Sequence, residues 1–208
     1  NNHFCISASP ERYLKKMNNK IISQPIKGTI KKLDNIVLDQ QKQTELLNSS
    51  KDLSENFMIV DLVRNDLSKI AKQNTVNVDE LAALYTYKDV HHLISTISCD
   101  LDVKYSIVDI LKSSFPMGSM TGAPKIKSME LIEKFEDTMR GLYSGSIGYI
   151  NPAKDFDFNV VIRSVFYNQQ SQYLSFMVGG AITIDSDPEL EYQECLVKAQ
   201  SIFNVLGQ

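Results

Sequence analysis

Three observations predict a mixed α/β class. Apolar residues recur every three or four positions in some segments, polar and apolar residues alternate strictly in others, and the two kinds of segment intermix along the chain. Of the 208 residues, 43% are apolar and only 9 are glycine and 6 proline, which suits one large domain, or most of one, and excludes a disordered or fibrous class.

Taken in order, "HFCISAS" reads as a strand, and the Asn, Gln, Ser and Lys enrichment over 39–56 marks at most a polar helix or loop. "SKDLSENFMIVDLVRNDLSKI" predicts a helix and "VHHLISTIS" a strand. In "PKIKSMELIEKFEDTMRG" the residues Ile126, Met129, Ile132, Phe135 and Met139 keep helical spacing; Pro124 suits the first turn and Arg140-Gly141 the end. "SGSIGYI" and "QYLSFMVGGAITI" read as strands. "FDFNVVIRSVFY" reads as one alternating strand, with Phe156, Phe158, Val160 and Ile162 on one face and Asp157, Asn159 and Arg163 on the other. The last helix starts at Asp187, a good N-cap followed by Pro188, and carries Cys195, Ala199, Ile202 and Leu206 as an apolar stripe.

Net charge is −3 and the basic residues are scattered, so a nucleic-acid footprint is missing. Cys5, Cys99 and Cys195 are far apart and odd in number, which argues against a disulfide framework or thiolate metal site and fits a reducing cytoplasm. No apolar run approaches the roughly 20 residues a membrane span needs. The start "NNHF" is neither a signal peptide nor an initiating methionine, so the chain reads as a fragment or the ordered part of something longer.

Several side chains invite chemistry. Glu191 and Glu194 lie three apart on the last helix, with Lys198 four further on, and Asp52 and Glu55 repeat the spacing on another. Spacing alone leaves a solvated face and an oxygen-ligand site for Mg²⁺ both open. His91 and His92 are adjacent on a strand, so at most one of them reaches a given site. Arg163, in an apolar run, needs an anion, whether a structural carboxylate or a substrate's. "GSMTGAPK" offers backbone N–H groups before a helix but lacks the spacing of a nucleotide-binding loop.

In order, "SASPERYL", "PIKGTIKK", "ENFMIVDLVRNDLSKI", "VHHLISTI", "FPMGSMTGAPKIKSMELIE", "GLYSGSIGYI", "IRSV" and "GGAITIDSDPELEYQE" resemble the chorismate-utilising enzymes, the family of anthranilate synthase and aminodeoxychorismate synthase large subunits. The resemblance covers the chain from about residue 4 to the end. It implies a chorismate-binding two-layer sandwich with helices packed outside antiparallel-rich sheets. Residues 1–208 would be the C-terminal part of that catalytic domain, with the N-terminal part of the family fold absent.

The same resemblance implies a site. Glu191 and Glu194 match paired Mg²⁺ ligands, joined by Glu55 and, more loosely, Asp52; the metal would bridge these acids and the ring carboxylate of chorismate. His92 matches a histidine near the ring, and Glu11 a general acid/base near the leaving hydroxyl. Tyr143 and Arg163 match positions that hold the enolpyruvyl carboxylate, with the backbone around Gly179; Lys198 and Thr121 complete the substrate-binding set. Ala181 departs from the second glycine of many relatives.

Lys27 is the discriminating position. Anthranilate synthases carry alanine in "PIAGT", whereas "PIKGT" is typical of the aminodeoxychorismate type, where the lysine is held to be a nucleophile. A free lysine titrates near about 10.4 and its protonated amine has no lone pair, so the site must favour the neutral form, through burial beside Pro25 and Ile26 or a nearby Mg²⁺. The implied reaction is amination of chorismate at C4, giving a precursor of 4-aminobenzoate and folate, with ammonia from a separate glutaminase subunit. Anthranilate or isochorismate formation is the nearest alternative; a non-catalytic chorismate-binding fragment and an interaction scaffold are the others.

Overall fold

In the computed structural model, which describes residues 2–184 and 186–207, the chain begins β1 (His3–Ser7), β2 (Arg12–Met17), β3 (Lys20–Gln24), β4 (Ile26–Lys31), α1 (Ile36–Leu47), α2 (Ser50–Ser68), β5 (Asn77–Thr86) and β6 (Val90–Asp100). It continues through α3 (Ile107–Ser114), a 3-10 turn at Gly118–Met120, α4 (Lys125–Phe135), β7 (Ser146–Ile150), β8 (Phe156–Val160), β9 (Ser164–Asn168), β10 (Tyr173–Phe176) and α5 (Pro188–Leu206). The mixed α/β class read from the sequence holds. Asp185 of the "GGAITIDSDPELEYQE" segment lies outside the described residues. Among them, no helix is long and apolar enough to cross a membrane.

The chain divides into two compact units, 11–136 with 148–159, and 1–10 with 137–147 and 160–208. The first is built around β6, buried along nearly its whole length. β5 pairs antiparallel along one edge of it. Along the other edge β3 pairs with its C-terminal half and β4 with its N-terminal half. Pro25 separates β3 from β4 because it has no N–H to give the ladder, while its carbonyl accepts from Ser95 N at 3.2 Å. The sheet continues from β3 to β2, β8 and β7.

Helices α1 and α2 pack on this sheet. Asn35 caps α1 by accepting from Val37 N and Leu38 N, and Ser49 caps α2 by accepting from Asp52 N. Leu46, Ile59, Val60 and Leu67 from these helices meet Leu93, Ile97 and Cys99 of β6 in the core. The polar stretch over 39–56 is therefore helix, with a short break at 48–49. Its α1 is pinned by a buried polar cluster: Asp39 Oδ1 accepts from His91 Nε2 at 2.9 Å and from Leu33 N at 2.8 Å, and Gln43 Nε2 donates to Oδ2 at 2.9 Å.

The second unit holds a three-stranded antiparallel sheet, β1-β9-β10. Asp187 accepts from Leu190 N, and Pro188 opens α5. Ala199 and Ile202 of that helix are buried, and Phe203 packs edge-on against Phe176 of β10.

Three expectations need correction. "QYLSFMVGGAITI" is strand only over Tyr173–Phe176, and its glycine-containing half lies outside any strand. "FDFNVVIRSVFY" is two strands, broken at 161–163, where Arg163 takes a left-handed backbone (φ 51°). Alternation alone gives no sign of that break. α4 ends at Phe135, before Met139, and its apolar stripe is exposed, Ile126 at 75% and Phe135 at 68%. Periodicity reported the helix but not its burial.

Candidate active site

Lys27 sits in a bulge. Ile26 pairs with Ile94 and Thr29 with His92, so β4 spends one more residue than β6 over that interval. Gly28 makes this possible: its φ is 90°, and a Cβ there would lie 3.1–3.2 Å from Leu46, Asp52 and Leu93. The bulge turns Lys27 to α2, where Nζ stands 3.6 Å from Glu55 Oε2, with the two side chains 17% and 11% exposed. Asp52, one turn earlier on α2, lies against Gly28 through its Cβ.

Glu11 immediately precedes β2 and is 6% exposed. Burial pushes its carboxyl up to about 7, against the opposing pull of the Ser119 hydroxyl, the Lys27 cation and the Ile26 N–H. His92, also buried, shares a hydrogen bond of 2.8 Å between its Nδ1 and Thr29 Oγ1, and its ring meets Tyr87 edge-on. His91 points away, to Asp39 and to Thr86 Oγ1 at 2.9 Å. Thr121 directs its hydroxyl into its own turn, to Met117 O at 3.1 Å and Gly118 O at 3.3 Å.

In the second unit, Lys198 Nζ donates to Glu194 Oε1 at 2.6 Å and to Gly179 O at 2.9 Å, tying the glycine segment to α5. A Cβ at Gly179 would lie 3.2 Å from Tyr143 Oη, and one at Gly180 would lie 3.1 Å from Glu191 Oε2 and 3.7 Å from Glu194 Oε1. Glu191 is 6% exposed and accepts from Ser186 Oγ at 2.7 Å. Arg163 donates from Nη1 to Lys198 O at 2.8 Å. Burial pulls its guanidinium below its ordinary range, with Tyr143 acting in the other direction.

Two carboxylates converging over a glycine make a hard-oxygen pair suited to Mg²⁺, which commonly takes one or two protein carboxylates and completes its shell with water and substrate. Among the described residues, no group of three or more Asp, Glu, His or Cys side chains stands ready for a metal. Sequence reasoning missed Ser119 beside Glu11, Thr29 beside His92, and Gly180 beneath the two glutamates. Thr29 was legible in principle, since it follows Lys27 and Gly28 in "PIKGT".

The profile of the chorismate binding enzyme family matches residues 1–204, and the chain belongs to that family. It is similar to aminodeoxychorismate synthase component 1 of Salmonella typhimurium, 42% identical over 201 residues, which covers 97% of this chain and 44% of that protein. Among solved structures it is similar to anthranilate synthase component I from Streptococcus pneumoniae, with 32% identity, a TM-score of 0.85, and coverage of 96% of this chain and 43% of that one. It is also similar to MenF, the menaquinone-specific isochorismate synthase from Escherichia coli, with 25% identity, a TM-score of 0.85, and coverage of 96% and 45%. The chain thus spans less than half the length of each.

Proposed function

We propose that the protein aminates chorismate at C4, giving 4-amino-4-deoxychorismate, through a covalent intermediate on Lys27. The observation that carries this reading is the Lys27 bulge, which sets an amine beside a carboxylate, Glu55, and near a second carboxyl, Glu11, which burial pushes up to about 7. Nζ adds to C2 of chorismate, the ring double bonds shift, and the C4 hydroxyl leaves as water with the proton of Glu11. Glu55 receives the proton the amine sheds. Ammonia then adds at C4, the double bonds shift back, and the C2–N bond breaks to release Lys27. Chorismate and ammonia become aminodeoxychorismate and water.

Tyr143, Arg163, Lys198, Thr121 and the backbone at Gly179 are proposed to orient the substrate, and His92, held by Thr29, to face the ring. Glu191 and Glu194 would hold Mg²⁺; when bound, the ion supplies positive charge for the ring carboxylate. Ammonia is proposed to come from a separate glutaminase. Burial raises the thiols of Cys5 and Cys99, the latter to about 12, which unsuits both as a glutaminase nucleophile.

The test is the product formed from chorismate, Mg²⁺ and ammonium, separated by chromatography. Aminodeoxychorismate is expected; anthranilate or isochorismate would assign the chain to the chemistry of its structural neighbours instead.

A further inference from the structure

Arg12 follows Glu11 directly but turns to other partners. Its guanidinium forks onto Asp157 of β8, with Nε to Oδ1 at 2.9 Å and Nη2 to Oδ2 at 3.2 Å, while Nη1 donates to Gln24 Oε1 of β3 at 2.5 Å. Gln24 Nε2 continues to Thr96 Oγ1 of β6 at 3.1 Å, and Thr96 to Glu80 of β5 at 2.9 Å. One polar row therefore crosses β8, β2, β3, β6 and β5. Arg12 is also the first residue of β2: it pairs with Gln24 on one side and Asn159 on the other, and both ladders shift register immediately after it. Tyr13 and Leu14, within the bulge, are both buried.

A bulge is where a strand bends most easily, and a planar fork held on two sides resists that bending in a way a point charge does not. With side chains 37% and 21% exposed, the ion pair contributes little to global stability, so its value lies in geometry. We propose that the Arg12–Asp157 fork is a positioning device, which holds the backbone at the β2 bulge so that Glu11 stays withdrawn from water against Lys27 and Ser119. Arg12 and Asp157 are positioning residues for the acid group of the proposed reaction, and only that catalytic consequence rests on the functional reading.

The sign of the effect separates positioning from simple electrostatics. Glu11 is faced by Lys27 of β4, with Glu55 of α2 behind it, and by Ser119 and the Ile26 N–H; Lys15 lies 3.8 Å from Asp157. None of these changes in the variants. Removing the positive charge in Arg12→Gln would raise the Glu11 pKa by electrostatics, and removing the negative charge in Asp157→Asn would lower it. Loss of the clamp admits water to Glu11 in both, so both variants lower it.

The experiment is a ¹³C NMR titration of the Glu11 carboxyl, assigned by its disappearance in Glu11→Gln. Arg12→Gln and Asp157→Asn are expected to shift the midpoint downward together, by roughly one unit. Lys16→Gln, which breaks a neighbouring ion pair to Asp155 at 3.0 Å, is expected to leave it in place. Arg12→Lys, which keeps the charge and loses the fork, serves if Arg12→Gln fails to fold. In turnover, the limb on which kcat falls as pH rises should move down with the titration, with the chorismate KM unchanged. Shifts of opposite sign, or a lowered Tm with an unmoved titration, overturn the proposal. A shifted titration in a protein that does not aminate chorismate leaves the clamp standing and sinks the functional reading.

Discussion

Lys27 Nζ lies 3.6 Å from Glu55 Oε2 because a one-residue bulge, made possible by Gly28, turns the lysine off the β4 ladder and onto α2. The pair joins a strand residue to a helix residue through backbone geometry rather than sequence proximity. Lengthening the strand's regular pairing should undo it. Gly28→Ala, strained at φ 90° and short of space, is expected to lower Tm by several degrees and kcat by more than about tenfold; thermal melts and steady-state assays check both.

Glu191 and Glu194 converge over Gly180, so each should matter to Mg²⁺ without being needed to fold. Glu194→Gln keeps size and removes a ligand charge. The Mg²⁺ needed for half-maximal activity is expected to rise by more than about tenfold, and calorimetry should show the same loss in direct Mg²⁺ binding. Near-normal activity at low Mg²⁺ would remove these residues from the metal site.

Arg163 has a left-handed backbone, and its Nη1 donates to the carbonyl of Lys198. Arg163→Lys keeps the charge and loses the fork, so the chorismate KM is expected to rise about tenfold or more with kcat less affected. An unchanged KM with a lower Tm would make the arginine a structural tie between 163 and α5.

Asp39 accepts from His91, Leu33 N and Gln43, and these bonds, led by that from His91, hold its carboxyl well below the usual range, at about 2. A carboxyl whose pKa is lowered by folding contributes stability that is complete above its unfolded value, near about 3.9, and lost as pH falls through the folded value. Tm should therefore fall between about pH 5 and pH 2. Asp39→Asn is expected to lower Tm at neutral pH and flatten that decline, which a series of melts across pH would show.

Much of this was legible in the sequence, for identifiable reasons. Asp187-Pro188 marked the start of α5 because an N-cap and a fixed φ act locally. The α2 segment and β6 were legible through their apolar patterning, and the Glu191–Glu194 pair through helical spacing. What was not legible depends on register: the bulges after Ile26 and Arg12, the break at Arg163, and the exposure of α4 are fixed by which strand or helix lies opposite, and a single segment carries no record of that. Ser119 escaped notice for the same reason, since it acquires meaning only from the residue it touches across the fold.

The most direct test of the account is intact-protein mass spectrometry after incubation with chorismate and Mg²⁺ in the absence of ammonia, followed by peptide mapping. The account predicts an adduct of chorismate less one water on the peptide containing Lys27, its loss in Lys27→Ala, and a fall of orders of magnitude in aminodeoxychorismate formation by that variant. Lys27→Arg should fail as well, because a guanidinium stays protonated. Full turnover by Lys27→Ala, or an adduct on any other peptide, would contradict it.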